Sequence, residues 1–408
     1  MNLFNVLNVS DTKQLIDDNF NIELQSEWVN ILDSTGRILK SDIVSNDNVP
    51  PFRRSTVDGY AVYSRDVFGC SETIPAILDY IGEVLMGQDA VVEINVPGAC
   101  CYVPTGGMIP DGADSVIMIE YTEKLDESTI LSSKPVSPGE NVINIGEDIK
   151  IGEIVIKKGI KLRAYEIGVL SSLGISKVEV CKKPRVGIIS TGDEVVNLGE
   201  IPKLGQIRDI NTYLLYSLIE ESGCEPVKYG LIKDDFELLK STLEKAVNEC
   251  DIILMSGGSS VGKKDHTVNV INSVGDKGVL VHGISIKPGK PTIIGGAGEK
   301  IIFGLPGHPL ACAVIFKVIV KYYINKIMGY DDVSYPVKCK FKINYHKAKG
   351  REEYLPVTLE EKNGELYAKP VFGKSGLITG FSKAWGYIKI ERNEEGLIEN
   401  QIVSTYKF

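Results

Sequence analysis

Hydrophobic and polar positions change rhythm along the chain. From 184 to 329, short apolar runs alternate with helix-spaced stretches. VGIIS (186–190) reads as a strand ending in TGDE. NTYLLYSLIEESG (211–223) reads as a helix, with Asn211 as candidate cap and Gly223 as stop. PVKYGLI (226–232) is a strand ending in KDD. Phe236, Leu239, Leu243, Ala246 and Val247 then mark one helix face. DIILMS (251–256) is a strand, followed by a helix and a strand-like stretch to Ile286. IIFGL (301–305) is a strand, and Pro309 suits the first turn of a long helix. Strands alternating with helices predict a doubly wound, mostly parallel α/β domain.

The flanking regions read differently. In 1–46, Trp28, Ile31 and Leu32 have helix spacing, and SDIVSNDNVPPF breaks that pattern. Residues 47–147 carry strand-like runs such as AVVEINV and SVIMIEY and predict a β-rich domain. Residues 148–181 form a connector with a helix near 163–173, grouped with 1–46 as an extended N-terminal/connector domain. The α/β domain covers 182–329. FKINYH, EYLPVTL, ELYAKPV and GYIKIE predict a small C-terminal β domain over 330–408.

Composition narrows the function. The 408 residues suffice for several domains. With 43% hydrophobic and 24% charged residues, the chain reads as soluble and globular. A net charge of −9 argues against coating nucleic acid by bulk charge. The N-terminus lacks the basic start and apolar run of a secretory signal. Lys317 and Lys321 interrupt the most apolar helical segment, so no membrane span is expected. The eight cysteines form no Cys-x-x-Cys pair and the four histidines do not cluster near them, which argues against structural zinc and suits a reducing cytoplasm.

In open α/β sheets, ligands bind beyond the carboxyl ends of the strands. The predicted strand ends carry Thr191, Gly192, Asp193 and Glu194; Asp234 and Asp235; Ser256 to Asp265; Lys287, Pro288, Gly289, Lys290 and Pro291; and Gly304, Pro306, Gly307 and His308. Glycine-flanked amides make an anion cradle. Carboxylates beside a phosphate make sense with Mg²⁺ between them, and the lysines can neutralise the remaining charge. Taken singly, each has an ordinary reading: a Gly-Gly turn, Asp193, Asp234 or Asp265 capping a helix, a solvated lysine. Their recurrence at successive strand ends favours a site for a magnesium–phosphate ester or a nucleotide.

SGGSSVGKKD (256–265) also resembles a P-loop through Gly257, Gly262 and Lys263. A P-loop ATPase is the weaker reading. Lys264 stands where Ser or Thr would hold the metal, and the loop follows the third strand rather than the first.

Ten stretches in order resemble the molybdopterin molybdenumtransferases, related to the C-terminal part of gephyrin: PPFRRSTVDGYAV (50–62), PTGGMIPDGADSVIMIEYTE (104–123), GEDIKIGE (146–153), STGDEVV (190–196), GQIRDIN (205–211), SGGSSVGKKD, KPGKPT (287–292), GLPGHP (304–309), GREEYLPV (350–357) and KSGLITG (374–380). The resemblance implies an elongated four-domain homodimer whose α/β domain resembles molybdopterin-adenylating proteins. It implies insertion of molybdate into adenylylated molybdopterin, cleavage of the pyrophosphate link and release of AMP, assisted by Mg²⁺ or a similar divalent ion. The molybdopterin-adenylating protein is an implied partner; nucleic acid and membranes are not.

By the same resemblance, Asp58 and Thr105 match active-site positions that reach the partner subunit's crevice. Asp148 matches the acidic position of GEDI. Glu194, Asp234 and Asp265 match acidic crevice positions and are the metal candidates. Lys287 matches the lysine of KPGKP, and Arg351 and Ser375 match positions for molybdate or the substrate anion. Thr191, Gly192, Asp193, Ser256, Gly257, Gly258, Ser259, Gly262, Pro288, Gly289, Lys290, Pro306 and Gly307 would cradle the phosphates. Asp58 also reads as a turn residue, Thr105 as bonding its own loop, and Arg351 as a surface ion pair with its neighbouring glutamates. The chain departs from the family pattern at Gly283, where many members have Lys or Arg, at His308 in place of Asn, at Trp385 within an Ala-Asp-Gly position, and at Lys263 in place of an acidic residue. Two other functions compete: adenylation of molybdopterin, and a gephyrin-like peptide-binding scaffold.

Overall fold

The computed structural model describes residues 6–257, 266–373, 376 and 378–408. Its central sheet contains β1 (Arg185–Thr191), β2 (Glu225–Ile232), β3 (Ile252–Ser256), β4 (Gly278–His282), β5 (Ile293–Ala297) and β6 (Lys300–Leu305), in the order β2-β1-β3-β6-β5-β4. The first four in that order are parallel. β5 runs antiparallel to both β6 and β4. The mostly parallel sheet therefore ends in an antiparallel edge. The apolar stretch expected to reach Ile286 divides: β4 stops at His282, and Ile286–Lys287 pairs with another sheet.

Both faces of this sheet are buried, so its strands read as continuous apolar runs. Alternation still sorts them. Ile188, Leu254, Ile301 and Phe303 join one core with α1 (Asn211–Glu221) and the last helix. Ile189, Ile253, Met255 and Ile302 join the other, under α2 (Phe236–Glu249) and α3 (His266–Val274). The last helix comprises α4 (Pro309–Ile315), a π-helical turn (Phe316–Val320) and a final α-helical stretch (Lys321–Ile327).

The N-terminal region corrects the reading of its pattern. Its helix is Val9–Asn19, capped by Asn8, and not the segment around Trp28. Ser26–Asn30 is a strand paired with Lys177–Cys181, and its alternating burial leaves Trp28 exposed. Ile16 and Phe20 are fully buried in the first α/β core, each contributing about 1.5–3 kcal/mol by leaving water.

A second six-stranded sheet runs Ser115–Met118, Gly59–Val62, Ala99–Val103, Ala76–Glu83, Thr129–Ser132, Thr122–Lys124. AVVEINV forms no strand; Ile94 is held by its own N–H bonding the Asp111 carbonyl at 2.8 Å. In the C-terminal region, Glu352–Lys362, Glu365–Pro370, Val337–Phe341, Ile402–Lys407 and Gly386–Ile390 pair in that order. Gly386–Ile390 then pairs back to the first strand and closes the ring.

Candidate active site

The register places the strand ends together. Ser190 of β1 lies opposite Ser256 of β3, which lies opposite Leu305 of β6; Thr191 lies opposite Ile232 at the end of β2. β4 runs in the same direction as β6, because β5 is antiparallel to both. The 283–292 turn therefore leaves the sheet at the same edge. It lies there because β4 points the same way as β1, β2, β3 and β6, although its sheet neighbour β5 is antiparallel. Four of the five turns expected to share one crevice leave from this edge, and the fifth is described only as far as Gly257, at the end of β3.

Side chains tie these turns to one another. The Thr191 hydroxyl donates to Asp234, and the Asp234 N–H reaches Asp193 Oδ1 at 3.4 Å. Asp235, not Asp234, caps α2, accepting from the Leu238 N–H at 2.9 Å. Asp193 and Glu194 are exposed and Asp234 is half-buried. Gly257 has φ +103°, and a Cβ there would meet the Thr191 carbonyl oxygen at 2.0 Å, so only glycine lets the β3 turn pass this close to β1. Gly307 lies beside it, its Cβ position 3.9 Å from the Gly257 Cα.

Asn211 does not cap α1. Asp209 takes that role, accepting from the Thr212 N–H at 3.1 Å. The Asn211 amide is buried and spans two turns, donating to Ser256 Oγ at 2.7 Å and to the Gly307 carbonyl at 2.8 Å. Burial pushes the nearby Cys312 thiol up to about 12, so it stays protonated and acts as packing rather than as a nucleophile.

On the other side, Ile286–Lys287 pairs in parallel with Glu352–Glu353, and the Ser285 hydroxyl donates to the Gly350 carbonyl at 2.6 Å. This joins KPGKP to GREEY. Lys287 Nζ lies 2.9 Å from Glu353 Oε1, which also accepts from Tyr345 OH at 2.6 Å. Glu352 instead faces Lys389 at 3.4 Å and Tyr354 OH at 3.2 Å. Both glutamates beside Arg351 thus have other partners. Arg351, Lys287 and Lys290 are exposed at this junction, Pro288 is half-buried, and Gly289 and Pro306 are buried.

Asp58 and Thr105 sit on the second sheet. Asp58 Oδ1 accepts the Thr105 N–H at 2.7 Å, and the Asp58 carbonyl accepts from Ile119 N–H at 3.0 Å. Thr105 therefore bonds Asp58 through its backbone, leaving both side chains at the exposed surface. A Cβ on Gly59 would meet the Ile117 carbonyl at 1.9 Å, so the glycine serves strand packing and not a turn. Asp148 is exposed in a separate turn, its N–H bonded to the Val49 carbonyl at 3.1 Å. Gly258, Ser259, Gly262, Asp265 and Ser375, with the lysine pair 263–264, lie outside the described residues. Among the described residues, no group of three His, Cys, Asp or Glu side chains is placed to hold a metal.

Pattern reading missed Glu353, Tyr345, Asp209 and the bridging role of Asn211. Strand alternation carried one signal: Glu353 shares a face with Leu355 and Val357, both in the C-terminal core.

Glycine turns, carboxylates and lysines gathered at one edge of an open α/β sheet, joined to a closed β ring and accompanied by a separate β sheet, define a multidomain protein with a polar edge at its strand ends. Three family models match the chain in order. The MoeA N-terminal region (domain I and II) matches residues 7–174, a model described as "Probable molybdopterin binding domain" matches 187–326, and the MoeA C-terminal region (domain IV) matches 338–408. The chain is 32% identical over 388 residues to the molybdopterin molybdenumtransferase of Haemophilus influenzae, covering 94% of each. It is 30% identical to that of Bacillus subtilis, covering 91% of this chain and 87% of the relative. The solved molybdopterin biosynthesis moeA protein of Pyrococcus horikoshii superposes with TM-score 0.87 at 33% identity, over 99% of this chain and 100% of that one. The chain belongs to the molybdopterin molybdenumtransferase family.

Proposed function

We infer that the protein inserts molybdate into adenylylated molybdopterin, with cleavage of the pyrophosphate link and release of AMP. The observation that carries this is the strand pairing of Ile286–Lys287 with Glu352–Glu353 at the edge where the α/β turns end. It supports a site in which a cationic group and the Arg351 segment meet the glycine turns of the same edge, as joining an oxyanion to a pyrophosphate-bearing substrate requires. Amides around Gly192, Gly257 and Gly307 bind the pyrophosphate. Lys287 and Arg351, with Ser375, hold molybdate against the dithiolene. Most of the rate enhancement comes from that positioning and from charge stabilisation. The match to molybdenumtransferases along the chain favours insertion over adenylation or a scaffold role.

Glu194 and Asp234 offer oxygen donors at the crevice, which suits a hard cation such as Mg²⁺, with Asp265 as the third ligand of the site. When bound, that ion would polarise the phosphoryl group. Asp58 and Thr105 serve the crevice of a second copy in a homodimer, and Asp148, at the acidic position of GEDI, is a further catalytic residue. The chain divides into 1–46 with 148–181, 47–147, 182–329 and 330–408, and works in the cytoplasm; among the described residues no helix is long and apolar enough to cross a membrane.

The test mixes purified protein with adenylylated molybdopterin, Mg²⁺ and molybdate. Molybdate-dependent AMP release is expected. AMP no higher than without enzyme would sink the reading, and ATP consumption with unadenylylated molybdopterin would replace it with adenylation.

A further inference from the structure

Glu353 is 4% exposed, yet it carries a carboxylate with one oxygen, Oε2, that has no hydrogen-bond partner. Leaving a buried polar oxygen unpaired is destabilising, because its desolvation is not repaid. A hydrophobic residue on this face would pack with Leu355 and Val357 without that cost, so fold stability does not account for the carboxylate. Its other oxygen accounts for it. Oε1 receives the Lys287 ammonium at 2.9 Å and the Tyr345 hydroxyl at 2.6 Å. The pair is asymmetric: the Lys287 side chain is 56% exposed, whereas that of Glu353 is 5% exposed. One end is anchored in the C-terminal core and the other emerges at the crevice.

Tyr345 extends the anchor. Its ring lies 6.3 Å from that of Phe372, close in sequence to the KSGL segment. Lys287, Glu353, Tyr345 and Phe372 thus form one connected line through four segments that lie apart in the sequence. The backbone pairing of Lys287 with Glu353 fixes the same register, so side chain and main chain agree on where the ammonium sits.

We propose that Glu353 is a positioning residue: its buried carboxylate, braced by Tyr345, holds the Lys287 ammonium at the point where the oxyanion binds. This rests on the reading of Lys287 as an anion-facing group. Glu353 does not touch the anion. A free lysine loses side-chain entropy when it is ordered, and a pre-formed ion pair meets much of that cost before the substrate arrives.

Glu353→Gln keeps the shape and the acceptor oxygen but removes the charge that orders Lys287. It also removes a negative charge near an anion site. Molybdate-dependent AMP release should therefore show kcat down about tenfold while KM for molybdate does not rise. Lys287→Ala should lose more, and adding Glu353→Gln to it should cost nothing further. Tyr345→Phe, which leaves the ion pair in place, should lower kcat about threefold by the same logic. Wild-type kcat in Glu353→Gln, or an equal loss in the Lys287→Ala background, overturns the inference while leaving Lys287 in its role. Wild-type kinetics in Lys287→Ala overturns both. If Glu353→Gln does not fold, Tyr345→Phe decides, and wild-type kcat there overturns the inference.

Discussion

The crevice edge of the α/β sheet and the Asp58–Thr105 corner of the second sheet solve the same problem in opposite ways. At the crevice, residues far apart in sequence are held by one another: Thr191 by Asp234, Ser256 and Gly307 by Asn211, Lys287 by Glu353. No turn there is complete alone. At the Asp58 corner, the carboxylate is satisfied by the backbone of a neighbouring loop in its own sheet, and Gly59 lets the adjacent strand close over it. That corner is finished locally and presents an exposed pair to whatever meets it. The difference teaches which part must be assembled and which must be delivered: a parallel sheet gathers distant turns at one edge, whereas the second sheet offers an exposed pair braced by its own loops.

The largest effect should come from testing delivery. If Asp58 serves the crevice of a second copy, Asp58→Ala and Asp265→Ala should each lose nearly all turnover. A refolded equal mixture of the two should recover roughly a quarter of wild-type AMP release, because half the dimers keep one intact site of two. No recovery would place both residues in one subunit's site and erase the contrast. Next, Lys287→Ala should cost on the order of a hundredfold in kcat with an unchanged circular dichroism spectrum, as expected for loss of a preorganised charge.

A smaller effect separates assembled turns from finished ones. Asn211→Ala removes two buried hydrogen bonds between turns and should lower unfolding stability by about 1–3 kcal/mol in urea titration. Thr105→Ala should leave stability within about 0.5 kcal/mol, since its bond to Asp58 uses the backbone. Equal losses would mean that the two sites are built alike. The smallest effect is chemical. Burial pushes Cys100 up to about 12 and Cys101 up to about 11, so both are protonated at pH 8 and inert to thiol reagents. The half-buried Cys70 of the same region should label first, read by mass spectrometry. Rapid labelling of Cys100 would show that the second sheet opens readily.

Much of the α/β lobe was legible because its strands are short, apolar and bounded by glycine turns, and its helices α1 and α2 carry one clear apolar face. The missed elements have identifiable causes. Val9–Asn19 is mostly polar, and its burial depends on Ile16 and the following Phe20 meeting the α/β core. Ser26–Asn30 alternates, but its partner lies some 150 residues onward, at Lys177–Cys181. The Gly283–Lys287 stretch looked like the end of one strand because apolar content does not say which sheet a strand joins. Within the site, the glycine turns and lysines were readable from residue type. Asn211 looked like a cap because its position fits one, and only Asp209 taking the N–H frees it to bridge.

The sequence by itself determined the family, the α/β lobe and the motifs that end its strands, because local pattern and residue chemistry suffice for those. Tertiary structure alone decided that β5 runs antiparallel between β6 and β4, so that β4 points with the parallel strands and the KPGKP turn reaches the common edge, and that Glu353 is buried against Lys287. Both depend on pairings between segments distant in the chain. Such pairings are set by which apolar faces pack together, and a one-dimensional pattern carries the faces but not their partners.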